Sequence, residues 1–88
     1  RRSEAFIAFP GGTGTLEEIS EVMSLSSLKL TKAPCILYNL NGYYEPLRLQ
    51  LQRMVEAGLS SPERQEGIHF ASDLREIQNI LEKNSKNC

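Results

Sequence analysis

Short apolar runs alternate with longer amphipathic stretches along this chain. The runs are residues 5–9, 35–38 and 68–71, and the first two are almost free of polar residues. A nearly continuous apolar run of this length is typical of a strand buried on both faces, as in parallel sheets. The pattern therefore predicts three short parallel strands.

Each apolar run is followed by a stretch whose apolar residues recur at helical spacing. Thr15 is predicted to cap the first helix, because Glu18 stands three residues later, at the spacing of a capping box. Acidic residues in the first turn would also favour the positive end of the helix dipole. Ser72 is the expected cap of the last helix, and Gly58 ends the middle one. The residues predicted to face inward are Leu16, Ile19, Val22, Met23 and Leu25; Leu47, Leu51, Met54 and Val55; and Leu74, Ile77, Ile80 and Leu81.

A strand followed by a helix, three times over, is the order of a parallel α/β sheet with right-handed crossovers. We predict the C-terminal half of a Rossmann-like three-layer parallel sheet (βαβαβα) over residues 1–83, and a polar, fraying tail over 84–88. Because the chain opens on Arg1 without a Met and meets a strand almost at once, we expect a piece of something longer. Half a sheet also leaves one apolar edge open.

Composition narrows the class of protein. The chain has 88 residues, 40% apolar and 24% charged, as expected of one small globular domain. Its net charge of -1 provides no basic surface for nucleic acid or for an anionic membrane. No apolar run approaches the roughly 20 residues that cross a bilayer. We therefore expect a soluble, cytoplasmic domain.

The glycine-rich segment 10–18 lies between the first strand and the first helix. Gly11, Gly12 and Gly14 let the backbone turn sharply and approach a ligand, and a helix amino end offers free N–H groups to an anion. The hydroxyls of Thr13 and Thr15 add donors. This combination indicates a phosphate site at the carboxyl edge of the sheet. A tight turn with a capped helix and no ligand is the alternative.

Two familiar phosphate motifs are excluded by the letters of this segment. A P-loop requires Lys and then Ser or Thr after its second glycine, whereas Gly14 is followed by Thr15 and Leu16. The dinucleotide fingerprint G-x-G-x-x-G begins at Gly12, but Glu17 occupies the third glycine position.

Glu17 and Glu18 are the candidate catalytic residues. Neighbours on a helix differ by about 100° around its axis, so only one of them is expected to face the site. A carboxylate one turn from a phosphate cradle can contact ribose hydroxyls, or stabilise the oxocarbenium-like charge of glycosidic cleavage. By spacing alone, a capping-box residue without a catalytic role is the better explanation of Glu18.

Residues 10–18 match the P-G-G-x-G-T-x-x-E motif of the LOG ("Lonely Guy") family at every fixed position. The resemblance extends through 3–9, 32–34 and 40–44 to the final strand and helix, and so covers nearly the whole chain. LOG proteins are cytokinin riboside 5′-monophosphate phosphoribohydrolases, often mislabelled lysine decarboxylases. The chain thus resembles enzymes that release the base and ribose 5-phosphate from a nucleoside 5′-monophosphate.

The resemblance implies a Rossmann-like subunit that is dimeric or larger, with an AMP-like purine nucleotide as substrate and no metal or organic cofactor. Gly11, Gly12, Gly14 and Thr15 would hold the 5′-phosphate, with Thr13 at the variable position of the motif. Glu18 is its acidic residue and our first choice for the catalytic carboxylate, with Glu17 second.

The chain also departs from the family pattern. The family pairs its Glu with an Arg that would lie just upstream of Arg1, and neither Arg1 nor Arg2 is its counterpart. The Trp and Gln that plant members carry in the stretch matching 25–27, and their His near Thr31, are absent. A nucleotide-binding module that does not cleave its ligand, or an inactive fragment, are the alternative interpretations.

Other reactive residue types receive no catalytic role. The single histidine, His69, lies in a predicted strand, where a structural or exposed position is expected. One His and two distant Cys provide no metal-ligand spacing, and Cys35 is predicted to be buried. Lys29 and Lys32 are interpreted as solvated charges at a helix end. Of Tyr43 and Tyr44, we expect one to pack inside and one to lie near an interface.

Overall fold

The computed structural model describes residues 5–86. Within them, each strand is followed by a helix. The elements are β1 (Phe6–Ala8), α1 (Thr13–Ser27), β2 (Cys35–Tyr38), α2 (Glu45–Glu56), β3 (Ile68–Ala71) and α3 (Leu74–Lys86), with a short 3-10 turn at Leu40–Gly42 before α2.

The strands form one parallel sheet in the order β1-β2-β3. Phe6 pairs with Cys35, and Cys35 pairs with Ile68, so the strands start at the same edge. Their carboxyl ends therefore share the opposite edge. This architecture confirms the predicted α/β class and the partial Rossmann-like sheet.

Side chains alternate between the two faces of the sheet, as the period of a strand requires. One face packs against α1 and the start of α2, around the buried residues Ala8, Ile19, Cys35, Leu37 and Tyr44. The other packs against α3, around Ile36, Ala71 and Ile77. The central strand β2 is covered on both sides, because residues 35–37 are fully buried.

Cys35 is a free, buried thiol in this central strand, as predicted. Burial raises its pKa to about 11, because the thiolate loses its hydration there.

The predicted cap of the first helix is wrong. The helix begins at Thr13, and Gly12 is its N-cap, in an extended conformation and without a side-chain cap bond. The Leu16 N–H donates to the Gly12 carbonyl at 3.0 Å, so Thr15 already lies inside the first turn. Glu17 and Glu18 consequently lie beyond that turn, which contains no acidic residue.

The last helix also differs from its prediction. Asp73, not Ser72, caps it, because the Asp73 carboxylate accepts the Glu76 N–H at 2.9 Å. Glu76 in turn accepts the Ser72 N–H at 2.5 Å, in the manner of a capping box. The helix continues to Lys86, so the predicted tail from residue 84 begins within its last turn, and residues 87–88 lie outside the described residues.

Among residues 5–86, no helix combines the length and the apolar character needed to cross a membrane.

Candidate active site at the glycine turn

The glycine turn leaves the carboxyl end of β1 and enters α1 directly. Phe9–Gly12 form the connection, and Thr13–Thr15 form the first helical turn. The segment after β2, residues 39–44, lies at the same edge and contacts this connection. The structure therefore brings the predicted residues Gly11, Gly12, Thr13, Gly14 and Thr15 together around one helix end.

The amino end of α1 is a cluster of backbone donors. No acceptor within residues 5–86 is recorded for the amides of Thr13, Gly14 and Thr15. No acidic side chain in the first turn offsets the positive end of the dipole either. Such an end favours an anion, because each free amide can donate to it.

The three glycines of the turn meet different surroundings. A Cβ on Gly11 would lie 2.3 Å from the Thr15 hydroxyl oxygen, so internal packing excludes a side chain there. A Cβ on Gly12 or on Gly14 would meet nothing within 4 Å. The described part of the chain thus leaves open space beside the last two glycines, where a ligand can approach the backbone.

Two tyrosines hold the connection from the side of β2. The Tyr44 hydroxyl donates to the Phe9 carbonyl at 2.6 Å, and the Tyr43 hydroxyl donates to the Gly11 carbonyl. Their rings pack edge to face, with 5.1 Å between the ring centroids. Tyr44 is the packed member of the predicted pair, with 7% of its surface exposed, whereas Tyr43 is 51% exposed. Burial, and then the neighbouring Tyr43, raise the pKa of Tyr44, which keeps its hydroxyl a donor.

The hydrogen bonds of these two tyrosines to the glycine turn were not predicted from the sequence. Their place in the sequence could have indicated this contact, because residues 39–44 form the segment that follows the second strand. In a parallel sheet, that position lies at the same edge as the turn that follows the first strand.

Asn39 holds the backbone at the start of α2 and so helps to position the two tyrosines that precede this helix. Its side-chain oxygen accepts the Tyr44 N–H at 2.6 Å, and its side-chain amide donates to Glu45 at 3.3 Å. The Arg48 guanidinium also donates to Glu45, and this hydrogen bond is the main reason that the pKa of Glu45 is lowered. The backbone between Asn39 and Tyr43 turns through Asn41 and Gly42, which both have positive φ.

Glu17 and Glu18 are both exposed but lie on different sides of α1. Glu18 follows Gly14 by four residues, so the two share one side of the helix. Glu17 lies roughly 160° around the axis from the buried Ile19, on the outer side. Helix geometry places Glu18 about 40° and Glu17 about 60° around the axis from Gly14, in opposite directions, so Glu18 is the nearer of the two to the Gly14 side.

Three reactive residues for which the sequence predicts no catalytic role lie at the opposite edge of the sheet. Lys29, Lys32 and His69 line a cleft of about 560 Å³ near the amino ends of β2 and β3. Lys29 is exposed and pairs with Glu66 at 2.8 Å, as expected of a charge at a helix end. Among the described residues, no cluster of three or more His, Cys, Asp or Glu could hold a metal ion.

Comparison with known proteins agrees with the motif. Residues 1–81 match the model of a family described as "possible lysine decarboxylase". A probable cytokinin riboside 5′-monophosphate phosphoribohydrolase of Oryza sativa subsp. japonica is 41% identical over 97% of the chain. A cytokinin riboside 5′-monophosphate phosphoribohydrolase of Arabidopsis thaliana is 41% identical over 94% of it.

The matched region spans 35% of the length of the rice relative and 39% of the Arabidopsis relative. It includes the glycine turn, both tyrosines and the whole three-stranded sheet. The family model covers almost the full chain, and the chain therefore belongs to the LOG family.

Proposed function

We propose that the protein hydrolyses the N-glycosidic bond of a purine nucleoside 5′-monophosphate, including N6-modified ones. The products are the free base, of cytokinin type when the base is so modified, and ribose 5-phosphate. The main support is the amino end of α1, where free amides and two glycines facing open space lie one turn from Glu18. The names of the relatives supply the substrate class.

In this proposal the 5′-phosphate lies at the first turn of α1. The amides of Gly12, Thr13, Gly14 and Thr15 donate to its oxygens, and the dianion is favoured by the positive end of the helix. The two threonine hydroxyls add donors. Gly12 and Gly14 allow the phosphate to reach the backbone, because neither residue has a side chain that would separate the phosphate from the backbone.

Glu18 acts at the sugar. As the bond from C1′ to the base nitrogen breaks, positive charge develops on C1′ and the ring oxygen, and a carboxylate beside them stabilises it. The oxygen of water then bonds to C1′, and the base takes up the proton that the water gives up. No bound cofactor enters this balance, since water is the second substrate.

The test is to incubate the protein carrying this sequence with AMP and with an N6-modified AMP, and to follow free base by chromatography. Glu18→Gln should lower kcat by at least about 100-fold, the usual contribution of a catalytic carboxylate, with nucleotide affinity largely kept. Glu17→Gln is the matched control and should leave kcat unchanged. An unchanged rate in Glu18→Gln would remove this residue from the mechanism. Binding without base release would favour a nucleotide-binding module instead.

We also propose that the protein works as a homodimer or larger homo-oligomer. Leu25 near the end of α1 and Leu28 just after it lie three residues apart, with large apolar side chains open to solvent. Leu16, Leu25 and Leu74 were predicted to face inward, and the structure shows them exposed instead. Exposed apolar side chains close together favour contact with another protein surface. Light scattering coupled to size exclusion should show more than one copy, and a monomer at micromolar concentration would contradict this.

A further inference from the structure

We propose that Tyr43 is a positioning residue that sets the direction of the Gly12 N–H toward the phosphate. This inference rests on the proposed function, because it concerns how the same site is shaped. The observation that carries it is the hydrogen bond from the Tyr43 hydroxyl to the Gly11 carbonyl oxygen.

One peptide unit joins Gly11 to Gly12. The Gly11 carbonyl and the Gly12 N–H belong to the same planar, trans peptide, so they point in opposite directions. Tyr43 holds the oxygen of this peptide on the side of β2 and α2. The Gly12 N–H must therefore point the other way, away from Tyr43. The hydrogen bond to the oxygen also polarises the peptide and makes its N–H a stronger donor.

This peptide needs such a restraint because glycines flank it on both sides. Glycine has few steric barriers, so a peptide between two glycines can rotate between orientations at little cost. Thr15 packs against Gly11, but nothing within 4 Å surrounds the Cβ direction of Gly12. The Tyr43 hydroxyl is thus the contact that selects one orientation of the peptide.

The neighbouring tyrosine has a different role. Tyr44 binds the Phe9 carbonyl, and the next residue is Pro10, which has no N–H to direct. Tyr44 is also part of the core, whereas half of Tyr43 is exposed to solvent. Loss of the Tyr43 hydroxyl should therefore affect ligand binding far more than folding.

The experiment compares Tyr43→Phe with the unchanged protein, and uses Tyr38→Phe as the matched control. Tyr38 contacts the ring of Phe9 edge to face, and no hydrogen bond of its hydroxyl is recorded within residues 5–86. Calorimetry gives the affinities for ribose 5-phosphate and for adenosine, which lacks the phosphate. Tyr43→Phe should bind ribose 5-phosphate about three- to tenfold more weakly, the range expected for one hydrogen bond. Adenosine affinity, the unfolding midpoint and both affinities of Tyr38→Phe should stay unchanged.

Equal ribose 5-phosphate affinity in Tyr43→Phe and the unchanged protein would overturn the proposal. An equal loss for ribose 5-phosphate and adenosine, together with a lower unfolding midpoint, would show a merely structural role and also overturn it. Selective loss of phosphate affinity in a protein that does not cleave AMP would support the positioning role while rejecting the proposed function. A protein that binds no ribose 5-phosphate would overturn both.

Discussion

Gly14 occupies the second position of α1, where glycine is a poor choice for helix stability. Alanine in a helix is favoured over glycine by up to about 1 kcal/mol, and here its methyl group would meet nothing within 4 Å. The fold therefore gains nothing from glycine at this position. In the proposed function, glycine serves here to let the phosphate approach the backbone.

We expect Gly14→Ala to raise the free energy of unfolding by about 0.5–1 kcal/mol and to weaken AMP binding, because the methyl group would occupy the phosphate's space. Urea unfolding and calorimetry measure the two effects. Gly11→Ala is the contrasting control. It should destabilise the protein, since its Cβ would overlap the Thr15 side chain. Unchanged AMP affinity in Gly14→Ala would contradict a phosphate at this turn.

Between elements, α1 makes one close contact with Gly67, the residue before β3. A Cβ on Gly67 would lie 2.4 Å from the Ser26 hydroxyl oxygen but 3.7 Å from the Ser26 Cβ. Ser26 is also the buried polar residue at the end of α1. Among the described residues, the Ser26 hydroxyl is therefore the one group that a Cβ at position 67 would displace.

We expect Gly67→Ala to destabilise the protein by about 1–3 kcal/mol, the usual cost of overpacking. Ser26→Ala should suppress most of this cost, because a methyl group at 3.7 Å from the new Cβ is an ordinary contact. Unfolding free energies of both single variants and the double variant give the coupling. Additive effects would show that the strain arises elsewhere.

The order of elements could be predicted from the sequence. A short apolar run indicates a buried strand, and an amphipathic stretch with helical spacing indicates a helix with one buried side. The start of α1 could not. Thr15 and Glu18 satisfy the spacing of a capping box, yet the backbone already enters the helix at Thr13, after an extended Gly12. The glycine turn could be predicted as a candidate site because its motif residues, 10–18, are consecutive in the sequence. The bond from Tyr43 to Gly11 joins residues 32 positions apart, and no local pattern reports it.

At the scale of the whole molecule, His69 links stability to pH. Burial lowers the pKa of His69 below its ordinary value of 6.5, and the positive charge of Lys83 lowers it further. The unfolded chain therefore binds a proton near pH 6.5 that the folded protein does not. Stability should fall as the pH drops through that value, and the loss should end below the folded pKa.

His69→Gln should flatten this part of the profile. Urea unfolding at pH 7.5, 6.5 and 5.5 should show a smaller decrease in unfolding free energy for the variant than for the unchanged protein. Lys83→Gln should give an intermediate decrease, because it removes the positive charge near His69 and leaves the burial of the ring unchanged. Glu45 and Glu66, with pKa values lowered from 4.5, act at more acidic pH and do not overlap this window. Parallel profiles would exclude His69 as the group responsible.

The thiol in the middle of the sheet offers a built-in reporter of how the molecule opens. With Cys88 changed to Ser, Cys35 would be the single sulfhydryl in the sequence. It lies fully covered with its pKa raised to about 11, so alkylating reagents can reach it only after β2 separates from its neighbours. We expect iodoacetamide labelling of the native protein to be much slower than that of the urea-unfolded chain, and to slow further when AMP is added. Mass spectrometry of timed samples would then measure whether a ligand at the glycine turn slows the opening of the sheet around β2.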